Sequence, residues 1–281
     1  MYISICWKCE LNEDLRGAMT TARSSAAGRG PRKTPSKESA IADFLTLIRA
    51  STLFTGISRQ SCLKIACCAR LRTFVRDELL FSKGQPDDCL IMIRTGKVKL
   101  TQCGSGVSEV VLRMAGSGDP VCVGDFSSAR SHTCSARAKE HGSALIWDYK
   151  QLQILIAEFP VIGRNISLIL SRQLTELEER FRELATERVS NRVAFALLRL
   201  AGQIGKPRDG GIEISITPEE LAQLANSSAP AVSQTISQWA GIGLLLARRE
   251  GLVLLDIDLL GRMRSGNETG SAVASAKTTL H

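Results

Sequence analysis

The stretch that most constrains the fold runs from Ile212 to Leu255, where two short amphipathic helices, a tight bend and an apolar hairpin follow one another. Ile212 to Ile216 reads as a strand, and Thr217-Pro218-Glu219-Glu220 follows it. Thr217 caps a helix, Pro218 suits its first turn, and Glu220 stands where a capping box returns the bond. Leu221, Ala222, Leu224 and Ala225 form the apolar side, with Ala222 small enough for a second helix to cross closely. Asn226 falls at the bend, where a positive φ is needed and Asn, after Gly, is the least strained residue. A second helix begins at Ser228 as N-cap, with Val232 and Ile236 inward and Ala229, Pro230, Ser233, Gln234 and Ser237 outward.

Such a pair matches a helix-turn-helix, whose second helix enters the major groove of double-stranded DNA. Leu244 to Ala247, the tip Arg248-Arg249-Glu250-Gly251, and Leu252 to Leu255 form a hairpin that brings Arg248 and Arg249 toward phosphate. Two ordinary core helices joined by a turn give the same apolar pattern. The hairpin and the long helix upstream favour the DNA-binding reading, with Thr217, Ser228, Ala229, Pro230, Ser233, Gln234, Ser237, Arg248 and Arg249 as its contact set. Among the outward residues, Gln234 combines a donor, an acceptor and reach, which suits the N6 and N7 edge of adenine.

The upstream helix opens at Pro160, and Asp148, three residues before Gln151, is expected to cap the helix preceding it. Ile166, Leu170, Leu174, Leu177, Phe181 and Leu184 recur at steps of four, four, three, four and three. This is the spacing of a seam between two helices lying side by side, and charged residues fill the remaining faces. The expected partner is a second copy of the chain, giving a homodimer; a helix packed on its own domain is the competing reading.

Residues 71 to 147 alternate in short apolar runs broken by Lys83-Gly84, Thr95-Gly96, Gly104-Ser105-Gly106 and Gly116-Ser117-Gly118-Asp119, which predicts a β-sandwich or barrel. Residues 20–40, rich in Ser, Gly, Pro, Arg and Lys, carry no apolar period and read as a flexible arm. Met19 is an alternative start just before that arm. In 281 residues the 44% hydrophobic and 23% charged composition is that of a globular protein, and the net charge of +8 is permissive for a polyanionic partner. No apolar run reaches the length of a membrane span, so the expected location is the cytoplasm and no membrane partner is implied. A nucleophile–base pair and a phosphate-binding glycine loop are both missing, which argues against an enzyme.

Nine cysteines, among them Cys62, Cys67, Cys68, Cys89, Cys103, Cys122 and Cys134 in apolar runs, read as reduced small hydrophobes. Cys6 and Cys9 have metal-like spacing but no second pair to complete four ligands, so no metal is expected.

Over roughly residues 50–263 the chain resembles the Crp/Fnr family of transcription regulators. The resemblance rests on Leu53-Phe54-Thr55-Gly56-Ile57-Ser58, Leu79-Leu80-Phe81-Ser82-Lys83-Gly84, Ile93-Arg94-Thr95-Gly96-Lys97-Val98-Lys99-Leu100, Gly118-Asp119, Arg192-Val193-Ala194, Leu197-Leu198-Arg199-Leu200 and Thr217-Pro218-Glu219-Glu220-Leu221-Ala222, in that order. It implies an α+β fold: a flexible arm over 1–45, a jelly-roll-like β-roll sensor domain, the double-stranded β-helix of cyclic-nucleotide-binding proteins, over 46–158, a dimerisation helix over 159–187, a winged helix-turn-helix over 188–264 and a flexible tail over 265–281. RNA polymerase is an implied partner if the regulator activates.

The sequence departs from the family at both sites. Cyclic-nucleotide-binding members hold ribose with a Gly-Glu pair and phosphate with an Arg-Ser or Arg-Thr pair, because buried phosphate needs a positive, donor-rich partner. The counterparts here are Gly124-Asp125 and either His132-Thr133 without a gap or Arg130-Ser131 with a two-residue shift. The expected effector is therefore not cAMP. A haem or iron–sulfur cofactor, with His132, Cys134 or His141 as contacts in a redox or gas sensor, is the alternative; no cofactor is the main expectation. Members also carry an arginine near the start of the recognition helix, where this chain has Ala229 and Pro230, which implies a different DNA target.

Overall fold

The computed structural model describes residues 37–103, 109–122, 131–208, 210–249 and 251–264. They fall into two compact units, one of residues 1–98 with 115–172, the other of residues 99–114 with 173–281.

The first unit opens with α1 (Lys37–Ala50), a 3-10 turn (Thr52–Phe54) and α2 (Arg59–Cys67). The arm expected over residues 1–45 thus gives way by Lys37. Phe44, Leu47 and Ile48 repeat at helical spacing, and burial of Phe44 and Ile48 in the core offsets the entropy of ordering the segment. Strands β1 (Arg70–Phe74), β2 (Leu79–Phe81), β3 (Cys89–Thr95), β6 (Pro120–Cys122), β7 (Ser135–Ala138) and β8 (Gly142–Asp148) follow, while β4 (Val98–Cys103) and β5 (Glu109–Ala115), between β3 and β6, fall in the second unit over residues 99–114. One antiparallel sheet runs in the order β1-β8-β3-β6, and β2 pairs with β7 in another layer. The result is the β-roll that the family resemblance implied. Gly142 sits at the crossing of β8 over β3, where a Cβ would come within 2.2 Å of the Thr95 carbonyl and 2.6 Å of the Phe74 ring.

Trp147, buried on β8, packs its ring 5.5 Å from that of Phe54 and donates its indole N–H to the Ile65 carbonyl at 2.9 Å. Helix α3 (Tyr149–Glu158) starts at Asp148, but the expected capping box does not form. The Asp148 carboxylate pairs with Arg70 across the sheet, and Gln151 Oε1 is buried without a hydrogen bond. An opposite charge out-competes a neutral backbone donor for the carboxylate.

Helix α4 (Pro160–Thr186) has the length read from the sequence. Its first turns are anchored in the first unit: Asn165 donates to the carbonyls of Leu53 and Thr55 at 3.0 and 2.9 Å. Ile162, Ile166 and Ile169 join the core there. Ile166, counted in the seam from its spacing, is 4% exposed and belongs to that core. The competing reading of the helix is therefore right for its N-terminal third.

The second unit comprises the strands β4 (Val98–Cys103) and β5 (Glu109–Ala115), the rest of α4, and then α5 (Val189–Ile204), β9 (Lys206–Arg208), β10 (Gly211–Ile214), α6 (Pro218–Leu224), α7 (Ala229–Gly241), β11 (Leu245–Arg248), β12 (Gly251–Leu254) and α8 (Ile257–Arg264). An antiparallel sheet in the order β11-β12-β10-β9 supports the three helices α5, α6 and α7. One core holds Leu197, Leu200, Ile214, Leu221, Val232, Trp239, Leu252 and Leu260, together with Val111 and Met114 from β5.

Candidate nucleic-acid interface and sensor pocket

The winged region is built as its sequence demands. Thr217 accepts from the Glu220 N–H at 3.2 Å, and Glu220 accepts from the Thr217 N–H at 3.1 Å, so the capping box is complete. Pro218 occupies the first turn of α6, and Asn226 takes a left-handed φ of 45° at the bend. Helix α7 then starts at Ser228, whose extended backbone marks the N-cap but whose hydroxyl makes no cap bond. Pro230 in the first turn lacks an N–H, which removes one of the donors a cap would serve.

Val232, Thr235 and Trp239 bury one face of α7, while Pro230, Ser233, Gln234, Ser237 and Gln238 stand exposed on the other. Ala229 and Ile236 are half-buried, so Ala229 belongs to the rim of the contact set. Thr235 turns its hydroxyl back to the Ala231 carbonyl at 2.9 Å and takes no part in the outer face. Strands β11 and β12 close the wing with Arg248 opposite Gly251, and Arg248 and Arg249 are exposed at its tip. A short polar helix face beside a basic hairpin can place donors and acceptors in a groove and cations on the flanking phosphates.

Sequence reasoning missed Arg192. From α5 its guanidinium donates to the carbonyls of Ala225 and Asn226, both at 3.0 Å, and to that of Glu187 at 3.4 Å. It thereby satisfies carbonyls left open at the end of α6 and at the bend. The signal available was an arginine on the polar edge of an otherwise apolar helix.

In the first unit, Gly124, Asp125 and Arg130 lie outside the described residues. Ser131 bridges Pro86, and both Ser131 and Thr133 are exposed. His132 is buried instead. Its ring stacks on Phe81 with centroids 3.9 Å apart, Nδ1 lies 3.7 Å from Asp87, and its backbone is held by Gln85 and Gly84 at 2.8 Å. Burial depresses its pKa, while the carboxylates of Asp87 and Asp88 raise it. A neutral, stacked imidazole facing a carboxylate is a poor partner for phosphate.

The cysteines do not behave uniformly. Cys62 is buried and Cys68, Cys89 and Cys134 half-buried, but Cys67 and Cys103 are exposed, so the small-hydrophobe reading fails for those two. Burial first, and then Asp88 and Asp87, push the Cys89 thiol up to about 11. Among the described residues no group of three His, Cys, Asp or Glu side chains is placed to hold a metal ion. Among them, too, no single helix is long and apolar enough to cross a membrane.

Two known domain families match the chain. Residues 71–159 match the cyclic nucleotide-binding domain, and residues 191–263 match the Crp-like helix-turn-helix domain. The chain belongs to the Crp/Fnr family. The Crp/Fnr relatives it resembles include the CRP-like cAMP-activated global transcriptional regulator of Mycobacterium tuberculosis, 25% identical over 77% of this chain and 97% of the relative. The cyclic AMP receptor protein of Thermus thermophilus is 27% identical over 70% of this chain and 89% of that protein. Among solved Crp/Fnr-like structures, FixK2 from Bradyrhizobium japonicum superposes with a TM-score of 0.62 at 18% identity, covering 69% of this chain and 96% of FixK2. The c-di-GMP responsive regulator CLP of Xanthomonas campestris gives 0.60 at 21%, covering 71% of this chain and 100% of CLP. Those two likenesses bear on the fold alone. As a Crp/Fnr protein the chain is a DNA-binding transcription regulator.

Proposed function

We propose that the protein binds an inverted-repeat operator as a homodimer, reads it with Gln234 on α7, and responds to an effector other than cAMP. The observation that carries this reading is the apolar stripe on the second half of α4. Leu170, Leu174, Leu177, Phe181 and Leu184 are exposed there, with Leu177 at 60% and Phe181 at 75%. A soluble chain rarely leaves such a row to water, and its three-and-four spacing suits a parallel copy of the same helix. Two copies related by that axis present their α7 helices to successive major grooves, about 34 Å apart. The test is Leu177→Asp: light scattering should report a monomer, and binding to duplexes selected from a random library should be lost. A dimer that persists overturns the seam.

The case against cAMP rests on His132. In the gapless alignment it stands where a cyclic phosphate needs a cation, and its ring is already engaged by Phe81 and Asp87. The named relatives are a cAMP-activated regulator and a cyclic AMP receptor; here the gapless counterpart of the phosphate partner is a buried imidazole, and Arg130-Ser131 is the counterpart only with a two-residue shift. Titration calorimetry with cAMP should give no heat of binding. A Kd at or below about 10 μM, near 7 kcal/mol, overturns the proposal and assigns the phosphate to Arg130 or Arg137.

A further inference from the structure

One buried ionic cluster is unused by the fold's apolar core and by the DNA-facing surface. Glu183, on the second half of α4, is only 8% exposed at its side chain. Both its oxygens accept from Nη1 of Arg199 on α5, at 2.7 and 2.9 Å. One turn earlier on α4, the half-buried Arg180 donates to the carbonyl of Leu112 on β5. Burial, and next the charge of Arg199, lower the pKa of Arg180, while Glu183 and Glu176 support its charge. The neighbouring residues of β5, Val111 and Met114, are fully buried in the same core as Leu197 and Leu200 of α5.

These groups join three elements of one compact unit: the seam half of α4, the first helix of the winged domain, and a hairpin drawn from the stretch that matches the cyclic nucleotide-binding domain. Apolar contacts hold them together and restrict their crossing to a small set of ridge-into-groove angles without singling out one. Here both carboxylate oxygens accept from one guanidinium nitrogen, and the burial of Glu183 makes any other arrangement of the helices leave a charge unpaired.

We propose that Glu183 and Arg199, braced by Arg180 on the Leu112 carbonyl, form a latch that sets the orientation of the winged domain on the seam helix, so that two copies hold their recognition helices at the spacing DNA requires. The hairpin carrying Leu112, drawn from the stretch that matches the cyclic nucleotide-binding domain, is part of the latch. This rests on the dimer proposed above. The latch matters only when two half-sites must be met at once, because the second contact gains from the first only if the geometry allows both. It leaves the affinity of one winged domain for one half-site alone.

The experiment uses the full-length chain and an inverted-repeat duplex that the wild type selects from a random library, beside the same duplex with one half-site scrambled. Glu183→Gln keeps the shape and removes the charge. It should bind the inverted repeat about tenfold or more weakly than wild type, with unchanged affinity for the scrambled duplex and an unchanged dimer by light scattering. Amide exchange in residues 109–115 should rise in the same variant. Glu183→Asp, a milder change in case the first variant folds poorly, should fall between, and Glu178→Gln, exposed on the same helix, should match wild type. Equal affinity of Glu183→Gln and wild type for the inverted repeat overturns the latch, as does an equal loss on both duplexes. A wild type that is monomeric overturns the dimer, and the latch with it.

Discussion

Arg192 of α5 donates through Nε to the carbonyl oxygen of Ala225, 33 positions along the chain and 3.0 Å away, and through Nη2 to that of Asn226. One guanidinium therefore holds the bend that aims the recognition helix. Arg192→Ala should lower stability by about 1–3 kcal/mol, because carbonyls lose a charged donor. DNA affinity should fall with it on every sequence, base preference staying as it was. Arg192→Lys should rescue little, since a single ammonium cannot span two carbonyls as the planar fork does. Urea titration and fluorescence anisotropy on two unlike duplexes check both effects.

Gln234 and the wing arginines should separate in their effects. Gln234→Ala is expected to relax the preference for adenine at one symmetric position by about 1–3 kcal/mol per half-site, with the salt dependence nearly intact. Replacing Arg248 and Arg249 by Ala should weaken all sequences and flatten the salt slope by about 2. Library selection before and after each change reads the first effect, and affinity between 50 and 200 mM salt the second. An unaltered base preference in Gln234→Ala would move recognition to DNA shape.

His132 gives the fold an acid limit. Its pKa is depressed by burial, so between the folded value and the ordinary one near 6.5 the unfolded chain holds more protons than the folded protein. Stability is then complete above about pH 6.5 and falls as pH drops toward the folded value. His132→Phe keeps a ring against Phe81 and removes the titration, so its melting temperature should vary less between pH 7 and 5 than that of wild type. The same slope in both proteins assigns the acid sensitivity elsewhere.

Gly142 leaves no room for a methyl group. Gly142→Ala would press a carbon against the Thr95 carbonyl and the Phe74 ring, costing at least about 2 kcal/mol through displacement of β3 from β8. The urea midpoint should fall accordingly, and DNA binding at low denaturant should survive because the winged domain has its own core.

What the sequence disclosed follows the range of the interactions. The capping box of α6, the left-handed Asn226 and the wing arginines are local, and each was readable from residues within four positions of one another. The exposed apolar stripe of α4 was legible from Leu170 onward, yet Ile166 shares its spacing and lies in the core, because periodicity reports a face without reporting what covers it. Asp148 fails as a cap for a distant reason, the Arg70 side chain across the sheet, 78 positions away. The Arg192 bridge and the Glu183–Arg199 pair, 16 positions apart, were illegible because tertiary packing alone brings their elements together. Helix α1 was hidden by its polar start, and Phe44, Leu45, Leu47 and Ile48 in its second half betray that it packs.

The division of labour on α7 bears on how such a regulator changes over generations. Val232, Thr235 and Trp239 hold the helix in place, whereas Ser233, Gln234 and Ser237 touch nothing that the fold needs. Under the proposed reading, substitutions at those outer positions should be close to neutral for folding and should change which promoters are reached. Duplicated copies can therefore drift to new target genes without first acquiring compensating mutations, and lineages should differ at 233, 234 and 237 long before they differ at 232, 235 and 239.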